Sequence, residues 1–335
     1  MAQLYIVDHK ASIGIEKGRV QVKYGDGLLQ SLPIENLEGI TIIGNAQVTT
    51  RCIGECLRKG IAIQYFSSKG AYFGKVSSTQ HVNTRRQRLQ VKLTEDVRFS
   101  TTMAKQIIKA KINNQTVVLR RYQRTSNSSA IDEINMLKAL ENKMNYAGSI
   151  PEILGYEGSA ARIYYRGLNN LIDVDDFKFK GRSRRPPKDA FNSMLSLGYA
   201  MIMNDVYGSI EGRGLNPYFG FIHQDKEKHP TLSSDLIEEW RAVIVDSLVM
   251  SLVNGSEIGI SNFYIDDEVK GVFIDKKGLK IFISKMEKRL ATSIKYLSYL
   301  DYPMSLRKAI DCQVMQLCKA IEANDPTLYE PVRIR

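Results

Sequence analysis

The chain has 335 residues, 43% of them hydrophobic, enough to bury a sizeable core in one large or two moderate domains. Its 47 Lys and Arg outnumber 36 Asp and Glu, giving a net charge of +11 and a pI near 9.3, an excess that attracts polyanions, nucleic acid first among them. Membrane-spanning and disulfide-stapled secreted classes are disfavoured. The most apolar stretch, 242–253, is broken by Asp246 and Ser251, residues 1–10 lack a basic-then-apolar leader, and Cys52, Cys56, Cys312 and Cys318 form no Cys-x-x-Cys. A cytoplasmic protein is expected.

In chain order, residues 1–76 read as a β-rich domain. Val20, Val22 and Tyr24 alternate with Arg19, Gln21 and Lys23, the pattern of a half-buried strand, and Gly25-Asp26-Gly27 follows as a turn. Ile40, Ile42 and Ile43 suit a buried strand. A short helix is predicted next, capped by Thr49 or Thr50, with Ile53, Cys56 and Leu57 on one face and Gly60 at its end. Strands resume at 61–66 and 71–76. Residues 77–84 are polar and read as a linker. From Arg85 the apolar period switches to three and four: Leu89, Leu93 and Val97, then Ile107, Ile108 and Ile112. Further helices are predicted over 130–144, 157–170, 187–207, 235–253, 284–300 and 305–323. The expected fold class is α+β, a β-sandwich-like domain followed by a larger all-α catalytic domain over 85–325 and a tail at 326–335.

The positive charge is uneven. Residues 84–124 hold eleven Lys or Arg against Glu95 and Asp96, and 178–188 hold six with no acid. Phe177 and Phe179 are interleaved with the second cluster, where Gly181 and Ser183 leave the loop pliable. Arginine forks bind phosphate bidentately, while a basic helix face is in other settings simply solvated. No helix-turn-helix or zinc-finger signature is present, so phosphate contacts with weak base readout are expected.

Three pieces carry candidate chemistry. His223 ends a Gly- and Pro-punctuated loop, 214–223, and taken alone suits either a ligand or a satisfied structural residue. Asp235 and Glu238 lie three apart, which puts both carboxylates on one helix face or makes them the two ends of a capping box. Arg241 continues that face and could pair with Asp235 or touch phosphate. Glu157 begins a run of small residues, Gly158 to Ala161, and reads as a ligand or as a first-turn acid favoured by the helix dipole. Such an oxygen and nitrogen set suits Mg²⁺ or Mn²⁺ and lacks the thiolates of structural zinc. The acid clusters at 173–176 and 266–268 read as solvated loops.

Four blocks occur in order: Tyr-Glu-Gly-Ser-Ala-Ala-Arg-Ile-Tyr at 156–164, Arg-Arg-Pro-Pro-Lys-Asp-Ala-Phe-Asn with Leu-Ser-Leu-Gly-Tyr across 184–199, Gly-Leu-Asn-Pro-Tyr-Phe-Gly-Phe-Ile-His at 214–223, and Asp-Leu-Ile-Glu-Glu-Trp-Arg at 235–241. With Lys-Ile-Asn-Asn-Gln at 111–115, they resemble the CRISPR-associated endonuclease family that integrates new spacers. The resemblance implies a β domain that dimerises and a helical catalytic domain. It implies one divalent metal, Mg²⁺ or Mn²⁺, on Glu157, His223 and Glu238, with Asp235 assisting. DNA contacts are expected from Arg162, Tyr164, Lys180, Arg182, Arg184, Arg185 and Arg241. The implied reaction is attack of a 3′-hydroxyl on a phosphodiester of the CRISPR repeat. The implied partners are double-stranded DNA, a second copy of the chain and a small ferredoxin-like subunit, with no membrane. Glu239 and Trp240 stand where many relatives have Pro and Phe, which opens the question of which carboxylate points inward. Two other readings remain: a metal-dependent nuclease for branched DNA in repair, and a non-catalytic DNA-binding scaffold.

Overall fold

The computed structural model describes residues 2–25, 27–297 and 299–335, so Asp26 in the expected Gly25-Asp26-Gly27 turn lies outside the described residues. The chain divides into two compact units, Met1–His81 and Val82–Arg335.

In the first unit, period-two patterning builds two four-stranded sheets. Strand β1 (Ala2–Ile6) opens one sheet. Strands β2 (Ala11–Glu16), β3 (Arg19–Tyr24) and β4 (Gly27–Pro33) form an antiparallel meander in the other. The chain then returns as β5 (Leu37–Ile43), parallel to β1, and the short β6 (Gln47–Val48) pairs with β2. Val20 and Val22 are buried, whereas Tyr24 is exposed. Helix α1 (Thr50–Arg58) starts where Thr49 accepts a hydrogen bond from Cys52 N, and buries Cys52 and Cys56 as small apolar groups. Strands β7 (Ala62–Phe66) and β8 (Tyr72–Val76) complete the first sheet. Ile13, Val20, Ile40, Ile42 and Ile63 share one core between the sheets, each contributing roughly 1.5–3 kcal/mol by burial.

The second unit is mainly helical: α2 (Thr84–Glu95), α3 (Val97–Gln123), α4 (Ile131–Lys143), α5 (Ile150–Asn170), α6 (Ala190–Gly212), α7 (Thr231–Leu236), α8 (Glu238–Trp240), α9 (Ser247–Asn254), α10 (Lys276–Ala291) and α11 (Leu306–Ala323). Side-chain caps set the starts. Asn83, Asp96, Ser149, Asp189, Asp275 and Ser305 each accept a hydrogen bond from a backbone N–H three residues on. The 27-residue α3 runs through the middle and packs on α4, α5 and α8.

Several expected boundaries move, each for a local reason. Helix α5 begins seven residues before Glu157, because Ser149 caps it and Pro151 occupies its first turn. The helix expected over 284–300 runs instead from Lys276 to Ala291, started by Asp275; Ser293–Ile294 then pairs with Met304–Ser305 in a small sheet. A second hairpin joins Phe263–Asp266 to Gly271–Ile274, so the helical unit also holds short strands. The expected helix over 235–253 is broken at Ile237 and π-helical over Arg241–Asp246. No helix among the described residues is long and apolar enough to cross a membrane.

Candidate active site

Helix α3 buries Ile107, Ile108 and Ile112, and Lys111 goes in with them. An ammonium is buried only against opposite charge. Glu157 of α5 forms an ion pair with it through Oε1, and Glu238 Oε2 of α8 lies 2.6 Å from its Nζ. The side chains of Lys111 and Glu238 are 7% and 6% exposed. Arg241 completes the group, its Nη2 3.1 Å from Glu238 Oε1. Burial pushes the Glu238 pKa up, but Arg241 and Lys111 outweigh it and hold the carboxyl at about 2. Burial also works against the charge on Lys111, and Glu238 and Glu157 reverse the effect, leaving its pKa raised.

The loop carrying His223 is fixed from one side chain. Asp235, in α7 and fully buried, accepts hydrogen bonds from the backbone N–H groups of Phe221 (2.7 Å), Ile222 (3.0 Å) and His223 (3.3 Å). Its Oδ1 also lies 2.6 Å from His223 Nδ1. A carboxylate acceptor there makes Nδ1 the protonated nitrogen and leaves Nε2 for another partner. This hydrogen bond raises the His223 pKa against the opposing effect of burial, and the ring also feels the charges of Glu238 and Lys111. Gly220 permits the close approach: a Cβ there would lie 2.5 Å from Asp235 Oδ2. Further back, Gln90 of α2 donates to the carbonyls of Asn216 and Phe219, 2.8 Å each, and ties the loop's entry to a helix.

The two carboxylates, drawn from distant blocks, thus face one buried cation, whose charge the His223 ring also feels. Among the described residues, no three His, Cys, Asp or Glu side chains form a set already spaced to hold a metal; the ammonium of Lys111 stands between Glu157 and Glu238. The capping-box reading of Asp235 and Glu238 fails, since Asp235 caps the loop and Glu238 faces the cations. Glu157 lies well inside α5, so a first-turn dipole does not explain it either.

Of the residues expected to touch DNA, one is buried and two are half-buried and engaged within the protein. Tyr164 is fully buried and donates to Asp246 Oδ2 at 2.8 Å. Arg241 pairs with Glu238, not Asp235, and its guanidinium lies 4.8 Å from the Tyr199 ring centre. Arg182 donates to Asn192 (2.9 Å) and Ser196 (3.0 Å) and sits over the same ring at 5.3 Å. Tyr199 also hydrogen-bonds Asp246, whose pKa burial raises to about 6 against the two tyrosine hydrogen bonds. Phe177 and Phe179 are buried as well. Arg162, Lys180, Arg184 and Arg185 remain exposed. On α2, Arg88 and Lys92 line an open groove of about 480 Å³ with Asn216 and Phe219. In the basic stretch 84–124, Arg86 is instead paired with Glu322 at 2.6 Å, and Lys105 and Lys109 bind Asn145.

Glu239 turns away from Glu238. Its carboxyl accepts hydrogen bonds from Tyr329 Oη (2.7 Å) and Val332 N (2.6 Å), and burial raises its pKa to about 8. Asn114 of α3 binds the same segment, donating to the carbonyls of Val332 and Glu239 and accepting from Ile334 N, all at 2.9 Å. The inward carboxylate is therefore Glu238. Sequence reasoning missed both Lys111 and this strap. The signal for Lys111 was a single basic residue on the apolar stripe between Ile108 and Ile112.

A family model described as CRISPR associated protein Cas1 matches residues 4–288. The CRISPR-associated endonuclease Cas1 of Mycobacterium tuberculosis is 36% identical over 328 residues, covering 98% of this chain and 96% of that protein. A Thermus thermophilus counterpart, CRISPR-associated endonuclease Cas1 3, is 30% identical over 99% and 97% of the two chains. The fold matches a solved Cas1 protein from Thermotoga maritima (TM-score 0.81, 22% identity, 96% and 97% covered) and a casposase bound to its integration product (0.82, 21%, 100% and 96%). It also matches a chain of a Cas6-RT-Cas1–Cas2 complex (0.83, 24%), all of this chain spanning 36% of that one. The family match over most of the sequence, and relatives aligned nearly end to end, place this chain in the Cas1 family of CRISPR-associated endonucleases.

Proposed function

We propose that the helical unit is a metal-dependent DNA integrase centre that inserts short DNA fragments into a CRISPR repeat, with Glu157, His223 and Glu238 holding one Mg²⁺ or Mn²⁺. The observation that carries this reading is the convergence of Glu157 and Glu238, from separate helices, on one buried cation whose charge the ring of His223 also feels. The donor set fits a hard divalent ion: two carboxylates that already face a cation, and an imidazole whose Nε2 is left for a ligand. Such an ion, when bound, supplies stabilisation of the charge that builds on the attacked phosphate.

The residues of the chain do the rest. Asp235 holds the imidazole ring in one tautomer and one orientation. Arg241 keeps Glu238 ionised and, pinned on Tyr199, sets where that carboxylate points. Exposed Arg162, Lys180, Arg184 and Arg185 hold the DNA backbone through phosphate contacts. In the transfer itself, the fragment's 3′-hydroxyl oxygen forms a bond to phosphorus and gives its proton to solvent, while the repeat's own 3′ oxygen leaves and takes up a proton from solvent. Bond number is conserved and no protein nucleophile is needed. The solved casposase with its integration product and the Cas6-RT-Cas1–Cas2 complex support an integration reaction and a companion subunit for this family. The companion is read as a small ferredoxin-like subunit, and the active form as a homodimer.

The test is a strand-transfer assay with a short duplex bearing free 3′-hydroxyls and a repeat-containing target. Joined product that appears with Mg²⁺ or Mn²⁺, disappears with EDTA and fails with 3′-deoxy ends supports the reading. Metal-dependent cleavage of branched duplexes without joining would favour the repair nuclease. DNA binding with neither reaction would leave a scaffold.

A further inference from the structure

We infer that Lys111 is a resident counter-cation that makes metal binding depend on DNA. This rests on the metal-site reading above. Two carboxylates, Glu157 and Glu238, face Lys111, and Glu238 also faces Arg241. The third carboxylate, Asp235, is taken by His223 and its loop. Glu157 and Glu238 are therefore already matched before any metal arrives, by one ammonium and one guanidinium. A divalent ion entering alone brings two more positive charges beside two cations that are largely out of water, where charge repulsion is weakly screened.

Two changes relieve that repulsion. Lys111 can give up the carboxylates, and DNA can bring its phosphates. Arg241 cannot leave as readily, because it is held between Glu238 and the Tyr199 ring. The ammonium sits on a flexible four-carbon stem, so it is the group that yields. Metal and DNA then bind with positive coupling, and linkage requires the metal to tighten DNA binding by the same factor. The device keeps the site shut to free metal and opens it when a phosphodiester is in place.

The experiment measures Mn²⁺ affinity of the full chain by electron paramagnetic resonance. It compares protein alone with protein saturated by a duplex whose 3′ ends are deoxy, so that nothing reacts; binding to the duplex alone is subtracted. Affinity at least about tenfold tighter with DNA is expected, within the usual range of coupling between sites. Lys111→Met should bind Mn²⁺ more tightly without DNA and show a smaller coupling factor. The wild-type comparison needs no variant to fold, and Lys111→Gln serves where the methionine variant does not. Equal affinity with and without DNA, at a site lost in Glu157→Gln, overturns the coupling alone. Mn²⁺ binding that ignores Glu157→Gln overturns the metal site and this inference together.

Discussion

In Met1–His81 the one buried polar or charged side chain among the described residues is Thr41, whereas the helical unit buries Lys111, Asp235, Glu238, Glu239 and Asp246. The β unit is held by apolar burial and backbone ladders. In the helical unit the same apolar packing surrounds ionisable groups whose burial is costly unless each is paired or hydrogen-bonded. The difference teaches where to look for chemistry: a fold does not need a lysine in the middle of its longest helix, so such a residue marks a site rather than a core.

Substitutions can break or sharpen that contrast. The largest effect is expected at His223. His223→Ala should bring strand transfer to background while DNA affinity, measured by gel shift, stays within a few-fold, because the exposed arginines are untouched. Its side chain is 38% exposed, so little core is lost; a large drop in melting temperature without metal would instead make it a structural residue. Next, Ile40→Ala in the β core should cost roughly 2–5 kcal/mol of stability by denaturant melt, with Mn²⁺ affinity unchanged. A shift in metal affinity there would erase the contrast between the units.

A smaller loss is expected from Tyr329→Phe, which leaves Glu239 and Gln313 each short of a buried partner: about 1–3 kcal/mol, read by melting and by faster amide exchange at Val332 and Ile334. The pH dependence of stability offers a finer test at Asp246. Its pKa is raised from 3.8 to about 6 by burial. A raised folded pKa means that folding favours the protonated form, so this stability is full below pH 3.8 and is lost as pH climbs through 6. Asp246→Asn should remove that decline. The mildest effect is expected from Arg184→Ala with Arg185→Ala, which should lower the slope of log affinity against log salt by about two. An unchanged slope would place the DNA elsewhere.

Much of the fold was legible where local chemistry decides it. Alternation at Val20 and Val22 gave a strand, and Thr49 marked the start of α1. The start of α5 was also written, in Ser149-x-x-Glu152 with Pro151 between, but the small-residue run at 158–161 drew the boundary too late. The candidate site was legible as residue types in ordered blocks, and not as contacts. Tyr164 and Arg241 carry the chemistry of DNA contacts, yet burial depends on which helix packs over them, and that is set by tertiary structure. Lys111 was one of eleven cations in a basic stretch until α5 and α8 brought carboxylates to it. The π-helical turn after Trp240, which sets Arg241 against Tyr199 and aims Asp246 at two tyrosines, has no signature in a pattern of apolar residues.

The Asp235 carboxylate also divides its loop into a part that cannot change length and a part that can. Residues 221–223 are bonded to it one by one, so an inserted or deleted residue there would move the imidazole. The next five, Gln224 to Lys228, are exposed and lie outside that set of bonds. Lengthening a surface loop costs little, since closure entropy grows only slowly with length. Homologous chains can therefore gain or lose residues between 224 and 228 while the histidine stays in place, and a graft at that point is a way to add a new DNA contact beside the proposed reaction centre.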